Sequence, residues 1–202
     1  MIDVHCLVHK DCKYFPALKK QMESEKDICF HIIPNGTNIG FGRVRGFLVG
    51  KSPYVSFVDY DDLIQPEIFF EINQILESGY DWCYTDEMLI NEEGEELQPG
   101  WSSHPELYSP LLRSFQTFNS KDCCHHIVAF RRNLLRIDNL YIMRQLTELA
   151  EAYLYRELGR NNNYYHLQKV GYFWRQHENN GYKQFKAWKD LFMLDGKEVK
   201  LW

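Results

Sequence analysis

Three aspartates, Asp59, Asp61 and Asp62, follow directly on the apolar run Tyr54-Val55-Ser56-Phe57-Val58. Negative charge concentrated at the end of a buried strand is costly unless something positive neutralises it. A divalent cation meets that need, because Mg²⁺ and Mn²⁺ take oxygen ligands, keep several waters and share one or two protein carboxylates with nucleotide phosphates. The competing assignment is structural, with Asp61 and Asp62 capping the helix that Pro66 opens. A second cluster, Cys123-Cys124-His125-His126, has the residue types of a zinc site without its spacing. Neighbours in an extended segment point to opposite faces, so these four cannot close on one tetrahedral ion.

The elements that must position the aspartates are legible from periodicity. Ile2 to Val8 alternates apolar and polar residues as a strand does, and Phe15, Leu18 and Met22 recur at helical spacing. A second strand, Ile28 to Ile33, stops at Pro34-Asn35-Gly36-Thr37, and Asn38 to Gly50 reads as a glycine-rich loop entering a helix. The third strand, Tyr54 to Val58, ends in the acidic cluster. Strand, helix, strand, helix, strand at such intervals is the pattern of a parallel α/β sheet with right-handed crossovers. Ligands of such sheets bind beyond the carboxyl ends of the strands. His9-Lys10, Pro34-Asn35 and the aspartates therefore converge on one edge.

Further along, a helix is predicted from Pro66 to Gly79, and a strand at Trp82-Cys83-Tyr84. Asn91 to Glu96 reads as an exposed hairpin turn whose acidity is a matter of solvation. Residues 100–120 form an irregular connection rich in Ser, Pro and His, and His126 to Phe130 reads as a strand. One helix is predicted over Tyr141 to Leu158, stopped by Gly159, then a strand over Tyr164 to Trp174 and a last helix from about Tyr182 to Met193.

With 202 residues, 45% of them hydrophobic and 15% aromatic, the chain has the composition of one folded domain and excludes disorder, collagen and coiled coil. A net charge of −5, from 23 basic and 28 acidic residues, argues against nucleic acid or an anionic membrane as partner. No apolar run approaches the ~18 residues of a membrane span, and no signal-peptide core follows the start. A cytoplasmic protein with reduced thiols is expected from its six cysteines, none of which is needed as a staple at this length.

Taken in order, these pieces resemble the family-2 glycosyltransferases of the GT-A fold. The glycine-and-arginine segment Asn38-Ile39-Gly40-Phe41-Gly42-Arg43-Val44-Arg45-Gly46 leads to a strand ending in Asp59-Tyr60-Asp61-Asp62, like the family's D-x-D-D signature. Ala129-Phe130-Arg131-Arg132 with Leu134-Leu135 looks like its F-R-R-x-L-L segment, and Thr147-Glu148 with Arg156 looks like its T-E-D…R helix. Tyr172-Phe173-Trp174-Arg175-Gln176-His177 resembles its late aromatic-x-x-R-x-H segment. The resemblance runs from about Met1 to Gly181 and implies a single α/β domain with a mixed, mainly parallel sheet flanked by helices. Within it, about 1–99 would bind the nucleotide sugar and about 100–181 the acceptor, followed by a C-terminal helix and tail over 182–202.

Carried onto this sequence, the resemblance implies that Asp61 coordinates Mn²⁺ or Mg²⁺ at the donor diphosphate, with His177 as a further ligand. Asp59, with Tyr60 beside it, would lie near the ribose and the metal, and Asp62 would face the sugar. Val8-His9-Lys10 and Pro34-Asn35 would hold the nucleoside base, and Arg43 would steady the donor pocket. His126 would contact the acceptor or face the core, and Trp101, His104 and Tyr108 would offer surfaces on which sugars stack.

Two departures matter. Pro34-Asn35-Gly36 stands where the family commonly has an acidic residue for the base, and Leu149 replaces the aspartate that usually takes the acceptor's proton. Glu148 and Glu151, three apart on a helix, remain as candidate bases, with solvated helix residues as the alternative. The expected activity is a metal-dependent, inverting transfer of a sugar from a nucleotide-diphosphate donor, with UDP the first choice, to a hydroxyl of a glycan. The alternatives are an inactive sugar-nucleotide or glycan-binding module, and a nucleotidyltransferase, for which His9-Lys10-Asp11 is a poor phosphate loop. The length suits a minimal catalytic unit that could belong to a longer polypeptide.

Overall fold

The computed structural model describes residues 1–8, 12–34, 38–100, 124–146, 150–160, 163–178, 193–194 and 197–198. Its centre is a sheet in which β1 (Ile2–Val8) pairs in parallel with β2 (Ile28–Pro34) on one side and β3 (Tyr54–Asp59) on the other. The short antiparallel β7 (Val128–Arg131) joins β3 to β5 (Trp82–Ile90), and β5 pairs in parallel with β8 (Tyr164–Arg175). Because β7 runs opposite to both neighbours, β1, β2, β3, β5 and β8 all point the same way. Two antiparallel edges complete the sheet: β4 (Leu63–Ile64) on β8, and β6 (Glu96–Pro99) on β5.

Helices cover both faces. On one, Leu18 and Met22 of α1 (Phe15–Ser24) and Ile68, Phe69, Ile72 and Leu76 of α3 (Ile68–Glu77) bury Val4 and Val58. On the other, Val44 and Phe47 of α2 (Ile39–Leu48), Leu140 and Met143 of α4 (Ile137–Gln145) and Leu154 and Leu158 of α5 (Ala150–Leu158) pack on Phe57, Trp82 and Phe130. Each fully buried side chain of this size contributes about 1.5–3 kcal/mol, so both faces are strongly specified. The result is the expected mixed, mainly parallel α/β domain.

Several details depart from the sequence reading. Strand β1 does not alternate between core and solvent; as a central parallel strand it is covered on both faces, and Asp3 and His5 are buried with the apolar residues. Asp3 is tolerated because Ser52, His31 and Arg132 surround its carboxylate. The glycine-rich segment is helical from Ile39 onward rather than a loop: Asn38 caps α2, accepting from the Phe41 N–H at 2.8 Å. The glycines lie inside the helix, and Gly40 is required there, since a Cβ would sit 2.1 Å from the Met143 carbonyl oxygen.

The helix predicted over Tyr141 to Leu158 is two helices, with Leu146 already extended at the end of α4. The break escapes periodicity because Met143, Leu146, Ala150 and Leu154 continue one buried face through it. Strand β5 is also longer than the three residues expected. Met193–Leu194 and Lys197–Glu198, β9 and β10, pair antiparallel where a helix end and a tail were expected. Among the described residues no helix is long and apolar enough to cross a membrane. Cys6, Cys12, Cys29, Cys83 and Cys124 are free thiols.

Candidate functional site

Strand register brings the sequence-predicted donor residues to one edge. Leu7 lies opposite Asp59 and Val8 opposite Pro34, so the carboxyl ends of β1, β2 and β3 finish together. His9, Lys10 and Asn35, expected beside them, lie outside the described residues. Strand β8 ends at the same edge because it runs parallel to β3.

The acidic turn is folded back onto β8. After Asp59 the chain turns through Tyr60, Asp61 and Asp62 into β4, whose Leu63 and Ile64 pair with Phe173 and Tyr172. That pairing brings Asp61 to His177, 116 residues away, with Oδ2 and Nε2 2.8 Å apart. Arg175 reinforces it: its Nε donates to the Asp61 carbonyl at 2.9 Å, and its Nη1 donates to the carbonyls of Asn91 and Glu92. The Tyr14 ring lies 4.5 Å from the Arg175 guanidinium carbon, and its hydroxyl donates to Glu92 at 2.6 Å. Glu92 also accepts from Lys13, so this part of the acidic hairpin is paired rather than merely solvated.

Asp62, expected on the sugar side, is turned inward. It is buried, accepting the Tyr172 hydroxyl at 2.6 Å and the Arg175 N–H at 2.7 Å. Burial, together with the charges of Asp61 and Asp59, pushes its carboxyl well above the usual range. Through these two bonds it anchors the turn to β8.

Behind the turn lies a four-charge cluster. Arg43, buried in α2, donates to Asp59 at 2.6 Å and pairs with Glu151 at the start of α5. His126 Nε2 stands 3.4 Å from Asp59 and 3.5 Å from Glu151. Burial opposes every charge here, but mutual attraction wins. Glu151 and Asp59 raise His126 to about 10, and Arg43 and His126 hold Asp59 and Glu151 below the usual carboxylate range. Arg43 is held firmly protonated by Glu151 and Asp59. Two cations thus balance two anions.

The ligand atoms of Asp59, His126 and Glu151 lie within 4.8 Å of one another, a spacing that could suit an ion. Arg43 already supplies the positive charge there, however. Asp61 and His177, paired in the turn two residues beyond Asp59, offer a second set: a carboxylate oxygen of the kind that Mn²⁺ or Mg²⁺ takes, with an imidazole against it.

Of the predicted residues, the structure thus gathers Val8, Pro34, Arg43, Asp59, Tyr60, Asp61 and His177 at one edge, and joins Glu151 to Arg43. Tyr60 is half-buried, and burial next to Asp61 raises its phenol to about 12. Glu148, Leu149, Trp101, His104 and Tyr108 lie outside the described residues. Sequence reasoning missed Tyr172 and Arg175 as contacts of the acidic turn, although both stand in the segment that pointed to His177.

Fold and edge together define a mixed α/β domain with its candidate site at the carboxyl ends of the parallel strands. The particular likeness is to Staphylococcus aureus TarS. A TarS structure in complex with UDP-GlcNAc matches with a TM-score of 0.64 and 14% identity over 95% of this chain and 63% of TarS 1-349. One in complex with UDP matches at 0.61 and 16% identity over 87% of this chain and 60% of that one. A197 from STIV is more distant, at 0.51 and 11% identity, over 85% and 83%. The chain thus spans about three fifths of TarS 1-349 and 36% of the longer TarS chain, and at these identities the likeness establishes the fold. No protein-family model matches the sequence, and no curated protein matches it.

Proposed function

We propose that this chain is a glycosyltransferase domain that takes a UDP-linked sugar, holds its diphosphate through Mn²⁺ or Mg²⁺, and transfers the sugar with inversion to a glycan hydroxyl. The observation that carries the reading is the meeting of Asp61 and His177 at 2.8 Å in the turn that follows Asp59. They meet at the strand edge of a fold shared with TarS, whose structures include UDP and UDP-GlcNAc complexes.

In this reading Asp61, His177 and Asp59 hold the cation, which when bound offsets the charge developing on the departing diphosphate. Val8 and Pro34 border the nucleoside. The acceptor oxygen attacks the anomeric carbon, the bond to the diphosphate breaks, and the acceptor's proton passes to a carboxylate. Glu151 is committed to Arg43 and His126 and held low, far from the near-neutral pKa that suits a general base. That favours Glu148 as proton acceptor and makes Glu151 the anchor of Arg43.

The test is UDP release from a panel of UDP-sugars with and without Mn²⁺. Wild type should release UDP only with metal. Asp61→Ala and Glu148→Gln should each lose ~10²-fold or more. Release from no nucleotide sugar at any metal concentration would sink the proposal, and tight donor binding without turnover would identify a binding module instead.

A further inference from the structure

Tyr172 has no part in the chemistry above, yet its hydroxyl sits between two of the three aspartates. It is fully buried in β8, accepts from the Asp59 backbone N–H at 3.1 Å and donates to Asp62 Oδ2 at 2.6 Å. One hydroxyl supplies one donor and can accept in return, so both bonds form together. Asp62 Oδ1 takes the Arg175 N–H at 2.7 Å, while Arg175 Nε holds the Asp61 carbonyl at 2.9 Å. Every residue of the turn that bears a carboxylate is thereby tied to the segment 172–177, either by backbone or by side chain. The Tyr172 ring also packs 5.0 Å from His126, whose Nε2 stands 3.4 Å from Asp59.

Among these ties the Tyr172 hydroxyl is the one that touches both ends of the acidic turn. Asp59 and Asp61 stand two residues apart on a reversing backbone, so a change in the turn's curvature moves one carboxylate relative to the other. Groups outside the ligand shell that fix the orientation of ligands control affinity for a metal without touching it. We propose that Tyr172 is a positioning residue: through Asp62 and the Asp59 N–H it sets the spacing of Asp59 and Asp61 at which the cation and donor diphosphate bind. Asp62 is the other half of the device, a carboxylate kept as an internal acceptor.

This inference rests on the proposed metal-dependent reading, and a binding measurement separates the two. Mn²⁺ is titrated into wild type and Tyr172→Phe in the presence of UDP, with free Mn²⁺ followed by its electron paramagnetic resonance signal. Tyr172→Phe keeps the ring and its packing and removes only the bridge, and it should weaken Mn²⁺ binding ~10-fold or more. Asp62→Asn, which disturbs the same bridge from its other end, should shift it in the same direction and serves if Tyr172→Phe fails to fold. Ile72→Val, buried on α3 away from the turn, should lower thermal stability without moving the Mn²⁺ curve. Wild-type binding with an unchanged curve in a folded Tyr172→Phe or Asp62→Asn overturns the positioning role alone. A wild type that binds no Mn²⁺ with UDP overturns the metal-dependent reading and the inference with it. A shift of equal size in Ile72→Val would show general loosening and also overturn the positioning role.

Discussion

Two histidines are buried to the same extent, His5 at 0% exposure in β1 and His126 at 1% just before β7, yet they have opposite charge preferences. His5 stacks on His31 at 4.8 Å and lies near Phe57, and neither of its ring nitrogens has a hydrogen-bond partner. Burial, helped by His31, lowers it to about 3, so it is neutral. His126 suffers the same burial, but Glu151 and Asp59 raise it to about 10, so it is charged. Burial alone does not decide the state of an ionisable group; what faces it does. The first histidine fills space beneath a helix, and the second completes a charge-balanced cluster behind the acidic turn.

The harshest way to break this contrast is Arg43→Met. It removes one of two cations from the cluster and leaves Asp59 and Glu151 with His126 alone. Removing one partner of a buried ion pair costs about 3–5 kcal/mol, and chemical denaturation should show a loss toward the lower figure because Asp59 is partly exposed. A loss under about 1 kcal/mol would mean that solvent already screens the cluster.

The pH dependence of stability sharpens the comparison, because the two groups act in opposite directions. His126 has a folded pKa above its unfolded 6.5, so its contribution is complete below pH 6.5 and is lost as pH rises toward about 10. His5 has a folded pKa below 6.5, so stability falls as pH drops below 6.5 and the unfolded chain takes up the proton. Each effect is bounded by about 1.4 kcal/mol per pH unit. Denaturation of His126→Gln should be flatter than wild type between pH 7 and 9, and that of His5→Leu flatter between pH 6.5 and 5. If the two variants exchange windows, the assignment of charge is reversed.

The smallest effect is expected from His5→Leu at neutral pH. A neutral ring with unpaired nitrogens is replaced by an apolar side chain of similar bulk, so the loss in lost stacking and the gain from removing unpaired polar atoms nearly cancel. A net change within about 1 kcal/mol is expected by thermal denaturation. A much larger loss would mean that His5 has a polar role.

How much of this was legible in the sequence differs between the same two regions. β1 to β3 and α1 to α3 were readable because each is short, rich in apolar residues and bounded by Pro, Gly or charge, whereas the two-residue β4 carries no period to read. The Asp59–Asp62 cluster announced itself by charge placed after an apolar strand. Arg43 and His177 were singled out by their segments, not by any local physical property. The state of His5 was not readable, because alternation predicts an exposed polar residue where the central position of β1 demands a buried one. The cluster of Arg43, Asp59, His126 and Glu151 was not readable either, since its members meet only when α2, β3, α5 and the residues leading into β7 pack. The break between α4 and α5 was hidden by a hydrophobic period that continues through it.

By itself, the sequence determined the class of fold and the edge at which the candidate site lies, because hydrophobic period sets the elements and a helical crossover between successive strands sets their parallel order. The tertiary structure alone decided what each ionisable residue does there. It turned Asp62 inward to Tyr172, brought Asp61 to His177, and bound Glu151 to Arg43. The reason is physical: protonation and pairing depend on the few ångströms around a group, and in this chain those neighbours are up to 116 residues away.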